Sequence, residues 1–242
     1  MEPGFWENLL KHWRITYYTL PLWVGCMVIA LIVGLKYYRR QKLRTFLLIY
    51  VGVGMLVYWL FEIVTVKEAL KLRKRSQQEV LNVLFALVEF SVFSYFFSRI
   101  LRSRLLKLSM FFAGIIFLLV CFLYAIAVFR SDLSSEEILR YSFRINVLEF
   151  VFLFLACLLF FYELLNDNSH DKSRLAEHPS FWISSGVFFY SIVSLPYFLI
   201  ADELFYYNKN VYTILVAVHY VSTSMLFLCL AKAFSCERSL TT

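Results

Sequence analysis

Four ionisable side chains interrupt otherwise apolar stretches of this sequence: Glu62, Glu89, Glu149 and His219. Carboxyl and imidazole groups can take up a proton, hold a cation or hydrogen-bond a neighbour, and lipid makes leaving them without a partner costly. Asn82 precedes Glu89 by seven residues, and Asn146 precedes Glu149 by three. At about 3.6 residues per turn, both spacings put amide and carboxyl on one helix face. Two uses fit such a stripe. The polar groups can join neighbouring helices by hydrogen bonds, or Glu62, Asn82, Glu89, Asn146, Glu149 and His219 can line a small pocket for a ligand, ion or proton. If Glu89 and His219 share that pocket, burial and mutual attraction act on them in opposite senses, which suits a group that changes charge with pH.

Known catalytic patterns are missing. There is no His-Glu-x-x-His, no Gly-x-Ser-x-Gly and no phosphate-cradling loop. Lys232 lies at the end of an apolar run rather than at its centre, which disfavours a retinal Schiff base. No catalytic residue, metal site or cofactor is assigned. A metal-dependent membrane hydrolase stays open as a lesser reading, because three glutamates and a histidine have the right chemistry but no close ligand pair.

The elements that would position these groups follow from composition. Hydrophobic residues make up 61% of the 242 and charged residues 17%, against about 45–50% and about 25% in soluble domains. Surplus apolar surface on that scale points to lipid as the solvent. Seven windows are long enough to cross it: 15–35, 45–66, 80–97, 108–129, 145–165, 181–201 and 211–234. Unpaired strands cannot cross alone, and the alternation of a barrel is missing. The expectation is an all-α polytopic membrane protein, a single seven-helix transmembrane domain over 1–242 with short connectors and no cleaved leader.

Charge placement sets the orientation. The net charge of +7 does not imply nucleic-acid binding, because the 24 Lys and Arg fall in connectors, span ends and termini, within reach of headgroups. With the N-terminus outside, 13 basic residues fall on the cytoplasmic side and 11 outside, so N-out, C-in is expected. The basic stretch 67–75 then lies outside, as a short amphipathic helix along the surface. Polar groups would gather in the outer half of the bundle.

Other residues have structural roles in this reading. Trp182 is an interfacial anchor. Ser184, Ser185 and Gly186 permit close helix approach. Pro196 removes a backbone donor and predicts a kink in the sixth helix. His219, Ser222, Thr223 and Ser224 make the seventh span unusually polar. Five cysteines form no disulfide framework: Cys26, Cys121, Cys157 and Cys229 read as small buried hydrophobes, and Cys236 as a tail residue.

Asn82, Glu89 and Phe90, the aromatics Tyr95, Phe96 and Phe97, residues 181–186 and the polar seventh span together resemble a group of uncharacterised bacterial seven-helix membrane proteins. Those proteins are similar to the membrane sensory portions of signalling proteins, and many are encoded beside histidine kinases or response regulators. The resemblance implies a non-enzymatic, sensor-like module of the bacterial inner membrane, signalling through a separate partner protein. The alternative is a small transporter or channel using the intramembrane carboxylates as proton or cation sites.

Overall fold

The computed structural model describes residues 22–37, 42–69, 76–129, 135–166 and 172–236. The described part of α1 is Leu22–Lys36. After it come α2 (Lys42–Ala69), α3 (Ser76–Ile100), α4 (Arg104–Phe129), α5 (Ser135–Asn166), a 3-10 turn (Lys172–Glu177), α6 (Pro179–Tyr207) and α7 (Lys209–Ser235). No strand occurs among the described residues.

Length and apolarity decide what these helices can do. At about 1.5 Å per residue, a helix of 25 residues such as α3 reaches about 38 Å, more than the ~30 Å hydrocarbon layer. Among the described residues, five helices are long and apolar enough to cross a membrane: Leu81–Ile100, Arg104–Val128, Glu137–Asn166, Pro179–Ile200 and Val211–Ser235. Shorter apolar stretches lie at Leu22–Lys36 and Arg44–Val57. Large apolar side chains are exposed all along α4, among them Phe111, Phe112, Leu119, Phe122 and Leu123. That surface suits lipid and would be costly in water.

The helices from α2 to α7 all start earlier than their hydropathy windows, α5 by the most. α3 begins at Ser76 rather than 80, and α5 at Ser135 rather than 145. The first turns of α5 are amphipathic. Glu137, Arg140, Tyr141 and Arg144 are exposed, while Ile138, Leu139, Ser142 and Phe143 are buried, so an averaged hydropathy misses a well-packed helix. In consequence Glu149 sits near the midpoint of α5, not near a span end. The connector expected over 98–107 also shrinks to residues 101–103. The backbone N–H groups of Arg102 and Ser103 donate to Glu163 Oε2 and Oε1 at 2.8 and 2.9 Å, so a carboxylate from α5 satisfies amides that open α4.

α6 packs most extensively on α7 and next on α5. Gly186 shows why α6 and α7 approach so closely. A Cβ there would stand 2.7 Å from Cys229 Cβ and 3.2 Å from Leu226 Cδ1. Ser184, Val187 and Leu226 are fully buried along the same seam. Cys26, Cys121 and Cys157 are buried free thiols, and Cys229 is half-buried.

Arg44 corrects the expectation that every basic side chain reaches headgroups. It is 2% exposed, and its Nη1 and Nη2 donate to the carbonyls of Phe234 at 3.3 Å and Cys236 at 2.8 Å. The last carbonyls of a helix lack intrahelical donors and carry the negative end of its dipole, so a guanidinium caps them well. This also buries Cys236, expected as a tail residue. Arg44 and Glu163 together place the ends of α3, α5 and α7 with the starts of α2 and α4, so the odd-numbered helices among these run one way. Of the stretch 67–75, residues 67–69 continue α2; 70–75 lie outside the described residues.

Candidate functional site

Five helices bring polar side chains together. α3 supplies Glu89 and α5 supplies Glu149, each 1% exposed. The two carboxyl groups lie within electrostatic reach of each other. α6 contributes Tyr190, whose hydroxyl donates to Glu89 Oε2 at 3.4 Å, and α2 contributes Tyr50, whose phenol also hydrogen-bonds Glu89. Cys121 of α4 is close enough to feel Glu149. Oε1 of Glu89 and Oε1 of Glu149 are both buried without a hydrogen-bond partner.

An aromatic collar surrounds these groups. Tyr50 meets Phe93 edge-on at 5.1 Å and stacks with Phe227 of α7 at 6.1 Å. Tyr190 meets Phe150 edge-on at 5.0 Å, and Phe90 lies 4.3 Å from Phe117. Phe90 and Phe150, the immediate neighbours of the two glutamates, are buried. The carboxyls therefore occupy a dry interior where an unbalanced charge is costly.

His219 forms a second polar centre, joined to the first by Tyr190. Its Nδ1 is hydrogen-bonded to Ser194 Oγ at 2.8 Å, and Ser194 Oγ lies 3.4 Å from Ser222 Oγ. Tyr197 stacks on the imidazole at 5.2 Å, Phe198 meets it edge-on at 5.4 Å, and the Tyr190 ring lies 5.8 Å away. Glu89 thus lies within electrostatic reach of Glu149, and among the described residues Tyr190 stands between it and the histidine. Ser222 and Thr223 donate back to the His219 carbonyl at 2.7 and 2.9 Å, so much of the polarity of α7 is spent within its own helix.

The remaining expected residues divide. Asn146 is buried one turn from Glu149, but its Nδ2 donates to the Ser142 carbonyl at 2.9 Å. Asn82 is half-buried and stands two turns from Glu89, about 10 Å along the axis. The Glu62 side chain lies outside the described residues. Pro196 sits inside α6, which continues to Tyr207. Trp182 is near the start of α6, where its Nε1 donates to the Ala176 carbonyl at 2.7 Å and Lys232 Nζ lies 5.9 Å from its ring. Tyr50 and Tyr190 were not expected; a buried phenol needs a partner for its hydroxyl, and that was the available signal. Among the described residues no three His, Cys, Asp or Glu side chains gather closely enough to hold a metal ion.

No family model matches the chain, nor does any curated protein or solved structure match it significantly.

Proposed function

We propose that the chain is a seven-span, non-enzymatic, sensor-like membrane protein. A small ligand or a proton would occupy the site at Glu89 and Glu149, the helices would repack around it, and a separate partner protein would read the change. One observation carries this reading: side chains of five helices meet at a single buried pair of carboxyls. A change of charge there bears on α2 to α6 together, and through Tyr190 on the His219 centre of α7. A bistable bundle needs a ligand with different affinities for its two packings, and a buried charge provides that difference. On this reading α1 and α2 complete the seven spans, the N-terminus faces outward, the tail is cytoplasmic and the membrane is the bacterial inner membrane. The resemblance in span pattern to sensory modules supports the same view.

The same carboxyl pair favours a second reading, a small carrier or channel with a proton or cation site. Proteoliposomes holding a pH-sensitive dye separate the two. The sensor reading expects an imposed proton or Na+ gradient to decay no faster than in empty vesicles. Decay that is fast with the parent protein and slow with Glu89→Gln would replace the sensor with a carrier. For orientation, single cysteines placed near each terminus in a Cys236→Ser background are treated with an impermeant thiol reagent on intact cells. Labelling near the N-terminus and protection at the tail are expected; the reverse pattern overturns N-out.

A further inference from the structure

We propose that the slot between α3 and α4 binds one acyl chain of a membrane phospholipid, drawn from the leaflet in which α4 ends. The binding depends on neither the carboxyl pair nor a signalling partner.

The slot has a volume of about 260 Å³ and an almost wholly apolar lining. Val83 of α3 and Cys121 and Tyr124 of α4 form its floor, and all three are buried. Leu84, Leu118 and Phe122 stand exposed along its mouth. An engineered apolar cavity of about 150 Å³ takes up benzene, so there is room here for a larger hydrocarbon.

Depth and shape select an acyl chain. Along α4 the lining runs from Leu118 to Val128, a rise of about 15 Å. α4 has 26 residues, Arg104–Phe129, so its midpoint falls between Ile116 and Phe117. The slot therefore occupies the second half of the helix, from near the midplane to the headgroup level. One leaflet supplies about half of the ~30 Å hydrocarbon layer, again about 15 Å. α3 runs the other way, so Val83 and Leu84, near its start, stand at the headgroup end, with Leu87 deeper. Spread over its length, the volume leaves a cross-section of about 17 Å². That admits a single chain lying along the helices, and excludes a helix, which is about 10–12 Å across with its side chains.

A second copy of the protein fits the slot poorly. Membrane helices associate through small residues that let backbones approach, or through polar groups. The mouth offers neither, because the bulk of Leu84, Leu118 and Phe122 holds another helix away. Lipid tails are as apolar as these side chains, so contact rather than expulsion of water decides what binds. A chain in the slot touches two helices and the floor, whereas one on the open face of α4 touches a single helix. An unfilled slot forfeits those dispersion contacts.

Photo-crosslinking of the full chain tests this. The protein is reconstituted in phosphatidylethanolamine and phosphatidylglycerol vesicles containing a phospholipid with a diazirine in one acyl chain. It is then solubilised in mild detergent, freed of loose lipid on a column, and only then irradiated. Adducts confined to 83–87 and 118–128 are expected, with Phe111, Phe112 and Leu119 on the open face unmarked. A diazirine near the methyl end of the chain should mark Leu87 and 118–122, and one near the ester should mark 83–84 and 125–128. Ala125→Trp fills the slot and should lose the adducts. Adducts spread equally over the open face, a reversed depth order, or an unchanged yield in a folded Ala125→Trp protein each overturn the proposal. So does the absence of adducts after the column; if the chain then elutes as a dimer, the slot belongs to a second copy. Should Ala125→Trp fail to fold, the distribution and depth order in the parent decide. Failure of the sensor reading shows in the gradient assay and leaves these adducts untouched.

Discussion

Removing Arg44 tests the capping of α7 by a buried guanidinium. Two charge-assisted hydrogen bonds reach the carbonyls of Phe234 and Cys236, at 3.3 and 2.8 Å. Bonds to a charged group contribute about 1.5–3 kcal/mol each, with the longer one at the low end. Favourable placement at a partly buried helix C-terminus adds up to about 2 kcal/mol. Against this stands the cost of keeping a guanidinium out of water, several kcal/mol. Arg44→Met separates the two sides of the balance. It retains an apolar stem and removes the desolvation cost, but leaves both carbonyls without their donor, a penalty of about 1–3 kcal/mol for each buried group. A net loss of roughly 2–4 kcal/mol is expected on these figures. Arg44→Lys keeps the charge but loses the fork that reaches two acceptors, so it should fall between parent and Arg44→Met. Reversible SDS or urea unfolding of the purified protein, followed by tryptophan fluorescence, ranks the three. Because the pair is buried, the ranking should persist at high salt. An Arg44→Met protein as stable as the parent would refute the reasoning, by showing that the desolvation cost had cancelled the cap.

Three further outcomes follow from the packing. Gly186→Ala places a methyl group 2.7 Å from Cys229 Cβ, a clash that a flexible side-chain tip cannot absorb; about 1–3 kcal/mol of stability should be lost, and unchanged thermal unfolding would mean α6 and α7 are not so close. A double-mutant cycle with Ser194→Ala and His219→Phe should give a coupling of about 0.5–1.5 kcal/mol, the worth of one neutral hydrogen bond, while additive losses would remove the 2.8 Å contact. Glu149→Met should be as stable as the parent or more so, since a buried polar group gives way to an apolar one of similar size, whereas Glu149→Lys should fail to accumulate in the membrane; equal accumulation of both variants would place Glu149 on a wet or lipid-headgroup surface.

The sequence made the helices legible because lipid demands long apolar segments and little else. It also marked Glu89 and Glu149, since a carboxyl within such a segment must be accounted for. What it could not supply was partnership. Glu89 was as plausible a partner for His219 as for Glu149, and only the rotation of α3, α5 and α6 about their axes brings Tyr190 between the glutamate and the histidine. Tyr50 and Tyr190 were hidden because a tyrosine counts as apolar until its hydroxyl is seen to end on something. Arg44 was hidden for the opposite reason: a basic residue at a helix start reads as a headgroup contact, and its acceptors lie 190 and 192 residues away. The early start of α5 was masked by its own amphipathicity, which lowers the average hydropathy while preserving a buried face.

The turn between α3 and α4 has a consequence for the order in which the chain is assembled. Its amides at Arg102 and Ser103 are satisfied by Glu163, which follows them by 61 and 60 residues. At synthesis rates of about 5–20 residues per second, Glu163 leaves the ribosome roughly 3–12 s after the turn it completes. During that interval the two amides have water as their acceptor, so the α3–α4 hairpin must wait with its turn at the wet surface. Arrival of α5 then exchanges water for a carboxylate and fixes the hairpin's level beside the new helix. In the finished fold Glu163 ties the end of α5 to the turn where α3 ends, a little more than three turns along α3 from Glu89.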